Sequence, residues 1–344
     1  MRQENEKFST QHKPVIAQKY ITTNMNSIFS SLQSPSLAKL AATLVLTLIA
    51  AAKIAAAPFE EGDILYTDSS GAVIGISQAT GERIVVAGGG RLVQPLGIAV
   101  DGNGDVLASD TGSLAIIRID SLTGSQTVIA TGGLLGVPFG IAVERKGDIF
   151  VANGEAIIRL NPLTGEQTIV SEGGHFGAGG GYPVGVAVAE NGDLIVVNVG
   201  FPSQIIRVNP RTGHQTLISE AGCLKFPQAI AVDGKDIYLT DVATADGNFG
   251  IGAVIHVAMH TGTQTVLSSG GNLVGPVGIA VDENGQIVVG DPYTINPASQ
   301  DLYDGGIIQV DPLRGDQTLI ARGQENYLNP RGIAIVRSIR PNNQ

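Results

Sequence analysis

The chain has 344 residues, of which 43% are hydrophobic and 15% are charged, and it contains 46 glycines and a single cysteine, Cys223. The apolar fraction excludes a disordered chain, and the lone cysteine excludes an internal disulfide framework and a cysteine-rich zinc site. The formal net charge is −10. An acidic surface repels phosphate backbones, so a nucleic acid is not expected as a partner.

Residues 1–57 are predicted to be a leader that contains a signal peptide. An apolar run at residues 40–52, LAATLVLTLIAAA, follows Lys39 and leads into small residues. The run is too short for a spanning helix, which needs about 20 residues, and the arrangement is typical of a secretory signal. An uncleaved membrane anchor is the alternative. We expect a secreted or periplasmic protein without stable membrane insertion, whose remaining 15 basic and 29 acidic residues give a net charge of −14.

The rest of the chain repeats three markers in a fixed order, six times each. The first marker, P-x-[GA]-[IV]-A-[VI], begins at Pro95, Pro138, Pro183, Pro227, Pro276 and Pro330, at spacings of 43 to 54 residues. The second is a turn and an apolar run that ends at Asp68, Asp110, Asn153, Asn198, Asp241 and Asp291. The third, T-G-x-Q-T and its variants, begins at Thr80, Thr123, Thr164, Thr212, Thr261 and Arg314.

Each repeat predicts four short strands, because Ile- and Val-rich runs alternate with Gly, Asn, Asp and Pro. A period in the forties with four strands is typical of a β-propeller blade. We therefore predict an all-β fold, a single six-bladed propeller over residues 58–340 with a short tail at 341–344. The body opens at a second strand and ends with a lone first strand at 332–336. That C-terminal strand should pair into the N-terminal blade and close the ring.

The markers resemble those of NHL-repeat propellers of the secreted bacterial type. P-x-G-I-A-V-D followed by N-G-D and an apolar run carries this resemblance over residues 62–336, and a looser similarity extends to gluconolactonase and regucalcin-like propellers. The resemblance implies the fold and leaves the function open, because many activities use this scaffold.

Residues present in every blade are expected to serve the fold. The Asp or Asn that ends each second marker should accept hydrogen bonds from the turn backbone just after it. The threonines and glutamines of T-G-x-Q-T are interpreted in the same way. Function is therefore sought where the repeats differ.

The variable x position of the first marker is predicted to line the channel mouth, on the face that also carries the loops after the second strands. Its residues are Leu96, Phe139, Val184, Gln228, Val277 and Arg331. The looser resemblance to lactonase-like enzymes would imply metal ligands from Asn-Gly and Asp-Gly pairs at this position. Because no carboxylate stands at any of the six x positions, the resemblance does not extend to that metal site. Gln228 and Arg331 are the polar members, and Arg331 is expected to anchor an anionic or carbonyl group. Pairing of Arg331 with Asp301 or Asp304 is the alternative.

Two insertions, after Asp241 and after Asp291, follow the second strands of blades five and six. They supply Phe249, Tyr293, Asp301, Tyr303 and Asp304. Oxygen-rich loops can hold Ca²⁺, but neither matches the D-x-[DN]-x-[DN]-G pattern, so we expect no cofactor and keep calcium as the alternative.

Aromatic residues concentrate in the loops predicted on this face, and such residues are enriched at binding surfaces. They are Phe139, Phe176, Tyr182, Phe201, Phe226, Phe249, Tyr293, Tyr303 and Tyr327. The alternative is that they cover the ends of the core. His175 is the histidine expected on the same face.

These observations favour a monomeric binding module over an enzyme. The predicted ligand site comprises Gln228, Arg331, Phe249, Tyr293, Tyr303, Asp301, Asp304, Phe139, His175 and Tyr182, without catalytic or metal-binding residues. The expected ligand is a protein, peptide, glycan or small molecule. A lactonase-like hydrolase or a lyase that uses the channel mouth is the alternative.

Overall fold

Six four-stranded antiparallel sheets form the body of the protein, which confirms the predicted propeller. A computed structural model describes residues 59–243, 247–294, 305–323 and 329–337. The predicted leader, the tail at 341–344, and Asp301, Tyr303, Asp304 and Tyr327 lie outside these residues. No helix in the described ranges is long and apolar enough to cross a membrane.

The first three blades in chain order take four strands each, with the innermost strand named first. Blade one contains β24 (Pro330–Ile335), β1 (Ile64–Asp68), β2 (Ala72–Ile76) and β3 (Arg83–Gly88). Blade two contains β4 (Pro95–Val100), β5 (Val106–Asp110), β6 (Ala115–Ile119) and β7 (Gln126–Thr131). Blade three contains β8 (Pro138–Val143), β9 (Ile149–Asn153), β10 (Ala156–Leu160) and β11 (Gln167–Glu172).

The other three blades follow the same order. Blade four contains β12 (Tyr182–Val188), β13 (Leu194–Val199), β14 (Gln204–Val208) and β15 (Gln215–Glu220). Blade five contains β16 (Pro227–Asp233), β17 (Asp236–Ala243), β18 (Phe249–Ala258) and β19 (Gln264–Ser269). Blade six contains β20 (Gly278–Val281), β21 (Ile287–Asp291), β22 (Gly306–Val310) and β23 (Gln317–Arg322). Among the described residues, the helical element is one 3-10 turn, Ala178–Gly180.

The ring closes as the sequence predicts, because β24 pairs antiparallel with β1. Ile335 lies opposite Ile64, and Ile333 lies opposite Tyr66. Ile333 and Ile335 are 6% and 7% exposed, and they pack with residues of blades one and six. The two ends of the body are therefore joined inside one sheet.

The innermost strands approach so closely that the position after x has no space for a side chain. A Cβ on Gly332 would lie 2.3 Å from the carbonyl oxygen of Leu96, and one on Gly97 would lie 2.5 Å from that of Phe139. Blade five departs from this pattern with Ala229. The glycine of the first marker is thus explained by contact between neighbouring blades.

The glutamine of the third marker joins each blade to the loop that follows the preceding blade. Oε1 of Gln215 accepts from the backbone N–H of His175 at 2.8 Å, and its Nε2 donates to the carbonyl of Gly173 at 3.0 Å. The same bridge is made by Gln126, Gln167, Gln264 and Gln317. At the closure between blades six and one, Arg83 takes the glutamine's place and donates to the carbonyl of Arg322.

Candidate functional site at the channel mouth

The Asp or Asn residue that ends each second strand ties that strand to the loop before the first strand. Oδ2 of Asp110 accepts from the backbone N–H groups of Val93 and Gln94, and Asp68, Asp241 and Asp291 accept from the corresponding backbone N–H groups. The asparagines also donate: Oδ1 of Asn153 accepts from the N–H of Gly136 while its Nδ2 donates to the carbonyl of Leu134, and Nδ2 of Asn198 donates to the carbonyl of His175. The ring of Asx residues therefore serves the fold, as interpreted from the sequence.

Burial raises the pKa of two members of this ring. Asp291 is fully buried, and burial raises its pKa to about 6, although backbone N–H bonds from Tyr293, Val274 and Gly275 act in the opposite direction. Burial also raises the pKa of Asp241, against bonds from Ala243, Phe226 and Lys225. In sequence, the two insertions follow directly after these two carboxylates.

All six x residues line a cavity of about 390 Å³ between the innermost strands. This places the x position on the channel, as predicted. Arg337 lines the same cavity and donates to the carbonyl of Val281. The channel is otherwise lined mainly by aliphatic side chains and glycines of the first strands.

A second cavity of about 480 Å³ opens beside the mouth, between blades five, six and one. Its lining brings together four residues of the predicted site, Gln228, Phe249, Tyr293 and Arg331. The remaining lining residues are Val242, Gly250, Val274, Gly275 and Val277. Phe249 and Tyr293, from the two predicted insertions, thus share this cavity with the two polar x residues.

The wall that carries Phe249 is a lengthened hairpin, which corrects the prediction that Phe249 lies in a loop. β17 and β18 have 8 and 10 residues, and Phe249 pairs with Ala243 above the Asx ring. Gly252 lets this hairpin meet blade six, since a Cβ there would lie 2.1 Å from Cδ of Pro276. The hairpin is thereby fixed against the next blade.

Aromatic stacking continues from this wall towards blade four. The ring of Phe249 lies 4.8 Å from that of Phe226, which in turn lies 6.1 Å from that of Phe201. Phe249 and Phe201 are 63% and 77% exposed. Large exposed aromatic side chains in a row are typical of an interaction surface.

The opposite wall is the ring of Tyr293, which is 36% exposed. Its backbone N–H donates to Oδ1 of Asp291 at 2.8 Å. A Cβ on Gly275 would lie 2.8 Å from Cδ2 of Tyr293, so the ring covers that glycine. Asp291 and Gly275 therefore determine the position of the Tyr293 ring.

Arg331 and Gln228 are the polar side chains at the base of the second cavity, and both are half-buried. Within the described part of the chain, no ion pair includes Arg331. Nε2 of Gln228 donates to the backbone carbonyls of Phe226 and Pro227. The predicted alternative, pairing of Arg331 with Asp301 or Asp304, concerns residues outside those described.

Other members of the predicted site lie elsewhere. Phe139 and Tyr182 line the channel cavity, with ring centroids 5.7 Å apart, and do not line the second cavity. His175 lines neither cavity, and its backbone is bonded to Gln215 and Asn198. Phe176, one of the aromatic residues predicted on this face, is fully buried. It therefore belongs to the core, which agrees with the alternative that these residues cover the ends of the core.

Sequence reasoning missed a histidine–carboxylate hydrogen bond in blade five. Nε2 of His256 lies 2.7 Å from Oδ1 of Asp236, and the ring of Tyr238 lies 5.4 Å from that of His256. The three residues lie on adjacent strands, a pairing that follows from register and is not visible in the motif. Among the described residues, no three His, Cys, Asp or Glu side chains form a group that could hold a metal ion.

The sequence matches no protein-family model, so membership of the NHL-repeat family is not confirmed. No curated protein matches it significantly. Among solved structures, a chain of the crystal structure of a nidogen/laminin complex is similar at 15% identity with a TM-score of 0.63, covering 79% of this chain and 97% of that one. At this identity the similarity shows the propeller fold.

Proposed function

We propose that this propeller is an exported binding module that takes its ligand at the channel mouth, beside blades five, six and one. The observation that carries the proposal is the second cavity, where the two polar x residues meet two exposed aromatic walls. Ligand sites are typically apolar concavities with a few convergent polar groups. Export is supported by the apolar run at residues 40–52 followed by small residues.

A protein or peptide partner is supported by the aromatic row. Phe201, Phe226 and Phe249 present large, rigid apolar area next to a cation, and aromatic residues and arginine dominate the binding energy of protein interfaces. The similar chain, which comes from the crystal structure of a nidogen/laminin complex, has the same fold.

A random peptide library displayed on phage tests the proposal with a matched pair of variants. Phe249→Ala removes a wall of the second cavity. Leu313→Ser changes a residue that is 91% exposed in a turn on the opposite face. Peptides selected on the wild type should lose binding to Phe249→Ala and keep binding to Leu313→Ser.

If the peptides bind Phe249→Ala but not Leu313→Ser, the binding site lies on the opposite face of the propeller. For the enzymatic alternative, hydrolysis of a lactone that EDTA abolishes, together with a lowered Tm in EDTA, would favour a metal-dependent hydrolase over a binding module.

A further inference from the structure

The charge of the second cavity limits what it can bind. Among the described residues that line it, Arg331 is the only charged one, and the rest are apolar or aromatic apart from Gln228 and two glycines. One guanidinium balances one negative charge, and its planar fork matches a carboxylate with two parallel hydrogen bonds. A phosphate group carries close to two charges, for which a single cation is a poorer match. The cavity therefore suits a carboxylate.

The amide of Gln228 adds a directional requirement. Its Nε2 donates to the carbonyl of Phe226 at 3.1 Å and to that of Pro227 at 3.3 Å. Because only the nitrogen of the amide can donate, these two bonds fix the orientation of the group. No hydrogen bond among the described residues uses Oε1 of Gln228. This oxygen remains an acceptor for an N–H of a ligand bound next to Arg331.

The walls define a third element. Phe249 and Tyr293 face the cavity with Val242 and Val274, and the volume of about 480 Å³ exceeds that of any single side chain. A large apolar group can thus enter between the two aromatic rings, and burying it is favourable in proportion to its apolar area.

We propose that the mouth recognises an acylated α-amino acid with a free carboxylate and a large apolar side chain, and this inference rests on the proposed function. The carboxylate binds Arg331, the acylamide N–H binds Oε1 of Gln228, and the side chain lies between Phe249 and Tyr293. Peptides that end in an apolar residue and free N-acylated amino acids share this chemistry.

Four small probes separate the three contacts in an NMR titration of the purified protein. N-acetylphenylalanine carries all three groups, N-acetylphenylalaninamide lacks the carboxylate, 3-phenylpropionate lacks the amide N–H, and glucuronate has a carboxylate without an apolar side chain. N-acetylphenylalanine should bind more tightly than each of the others. Its advantage over N-acetylphenylalaninamide should be about tenfold or more, since a hydrogen bond to a charged group is worth that much. A pentapeptide that ends in phenylalanine distinguishes the two sources: tighter binding than N-acetylphenylalanine indicates a peptide terminus, and weaker binding indicates a free N-acylated amino acid.

Variants assign each contact to its residue. Arg331→Gln should weaken N-acetylphenylalanine about tenfold and leave the amide unchanged, and Arg331→Lys should recover only part of the loss because it cannot bind with a fork. Gln228→Leu should bring N-acetylphenylalanine down to the affinity of 3-phenylpropionate, which itself should not change. Leu313→Ser, on the opposite face, is the control, and an unchanged Tm shows that each variant is folded.

Several results would overturn the inference. The first is equal affinity for N-acetylphenylalaninamide and N-acetylphenylalanine. The second is tighter binding of glucuronate than of N-acetylphenylalanine, and the third is no binding of any probe at millimolar concentration. If library peptides with a blocked carboxy terminus bind in a manner that depends on Phe249, the binding module stands and the carboxylate assignment is wrong. If library binding does not depend on Phe249, the proposed function itself fails.

Discussion

The backbone N–H of Tyr293 donates a 2.8 Å hydrogen bond to Oδ1 of Asp291, so a carboxylate of the repeated Asx ring also positions a wall of the second cavity. Oδ2 of the same side chain holds Val274 and Gly275, which line that cavity as well. In blade five, Asp241 holds Phe226, against which Phe249 stacks. The residues that build the fold are therefore the ones that set the geometry of the site.

The raised pKa of Asp291 predicts a specific dependence of stability on pH. The folded-state pKa of about 6 lies above the unfolded value of about 3.9, so between these values the folded state binds a proton that the unfolded state lacks. The contribution of Asp291 to stability is then largest below pH 4, falls as pH rises to about 6, and stays constant above. The fall should be on the order of 3 kcal/mol.

Asp291→Asn is the matched variant, because the chain itself has Asn153 and Asn198 at this position. Asparagine does not titrate. The unfolding free energy of the wild type minus that of the variant should therefore fall from pH 4 to pH 6. Urea unfolding at several pH values measures this difference, and carboxyl NMR measures the pKa itself. A pKa below 4 would show that the three N–H bonds outweigh burial.

Removal of β24 should prevent the ring from closing. Burial of Ile333 and Ile335 contributes roughly 1.5–3 kcal/mol each, and the pairing of β24 with β1 is lost as well. Together these losses approach the net stability of about 5–15 kcal/mol of a typical domain. A chain that ends at residue 329 should therefore be poorly folded or aggregate.

A chain that ends at residue 337 is the control, since it keeps every described contact of β24. The two chains are compared by thermal unfolding and by size-exclusion chromatography. A cooperative transition at the control's Tm in the shorter chain would contradict closure through β24.

The fold was predictable because its determinants are local and repeated. In the turn after Asp101, for example, Oδ1 of Asp101 accepts hydrogen bonds from the backbone N–H groups of Asn103 and Asp105. The sequence N-G-D at residues 103–105 predicts this turn. The ring closure also followed, since a body that begins with a second strand needs a first strand from elsewhere. The phase of the repeat and the closure of the ring could therefore be deduced without any long-range information.

The site was predictable only in part. Gln228, Arg331, Phe249 and Tyr293 were each chosen for departing from the repeat, and they share a cavity. His175, which was also predicted for the site, lines neither cavity, and its backbone N–H donates to Gln215 of the next blade. The lengthened hairpin of blade five was missed, since an insertion between two strands does not show whether it extends them.

Loss of a glutamine bridge should destabilise the contact between neighbouring blades. Gln215→Ala leaves the N–H of His175 without its partner and removes one of two hydrogen bonds to the carbonyl of Gly173, which also accepts from Phe176. A hydrogen bond of this kind contributes about 0.5–1.5 kcal/mol. Gln78 is exposed, and its side chain makes no hydrogen bond among the described residues. Gln78→Ala should therefore change the unfolding free energy by less than about 0.5 kcal/mol.

Chemical denaturation of both variants provides the comparison. If Gln215→Ala and Gln78→Ala have equal stability, water replaces the bridge without cost.

Gly278→Ala should disturb both the ring and the ligand site. The added Cβ would lie 2.1 Å from the carbonyl oxygen of Arg331, so the innermost strands of blades six and one must separate. Overpacking of this kind typically costs about 1–3 kcal/mol, and the separation displaces the backbone that carries Arg331. We expect a lower Tm and weaker binding of N-acetylphenylalanine in this variant.

Ala229→Gly provides the matched comparison, because blade five has an alanine at the equivalent position. It removes a methyl group without forcing strands apart, and its cost should stay near the 0.5–1 kcal/mol typical of glycine in a strand. Thermal unfolding and the N-acetylphenylalanine titration of both variants check the prediction. An unchanged Tm for Gly278→Ala would mean that blades six and one have room for a side chain, and that the glycine of the first marker does not reflect the closeness of the innermost strands.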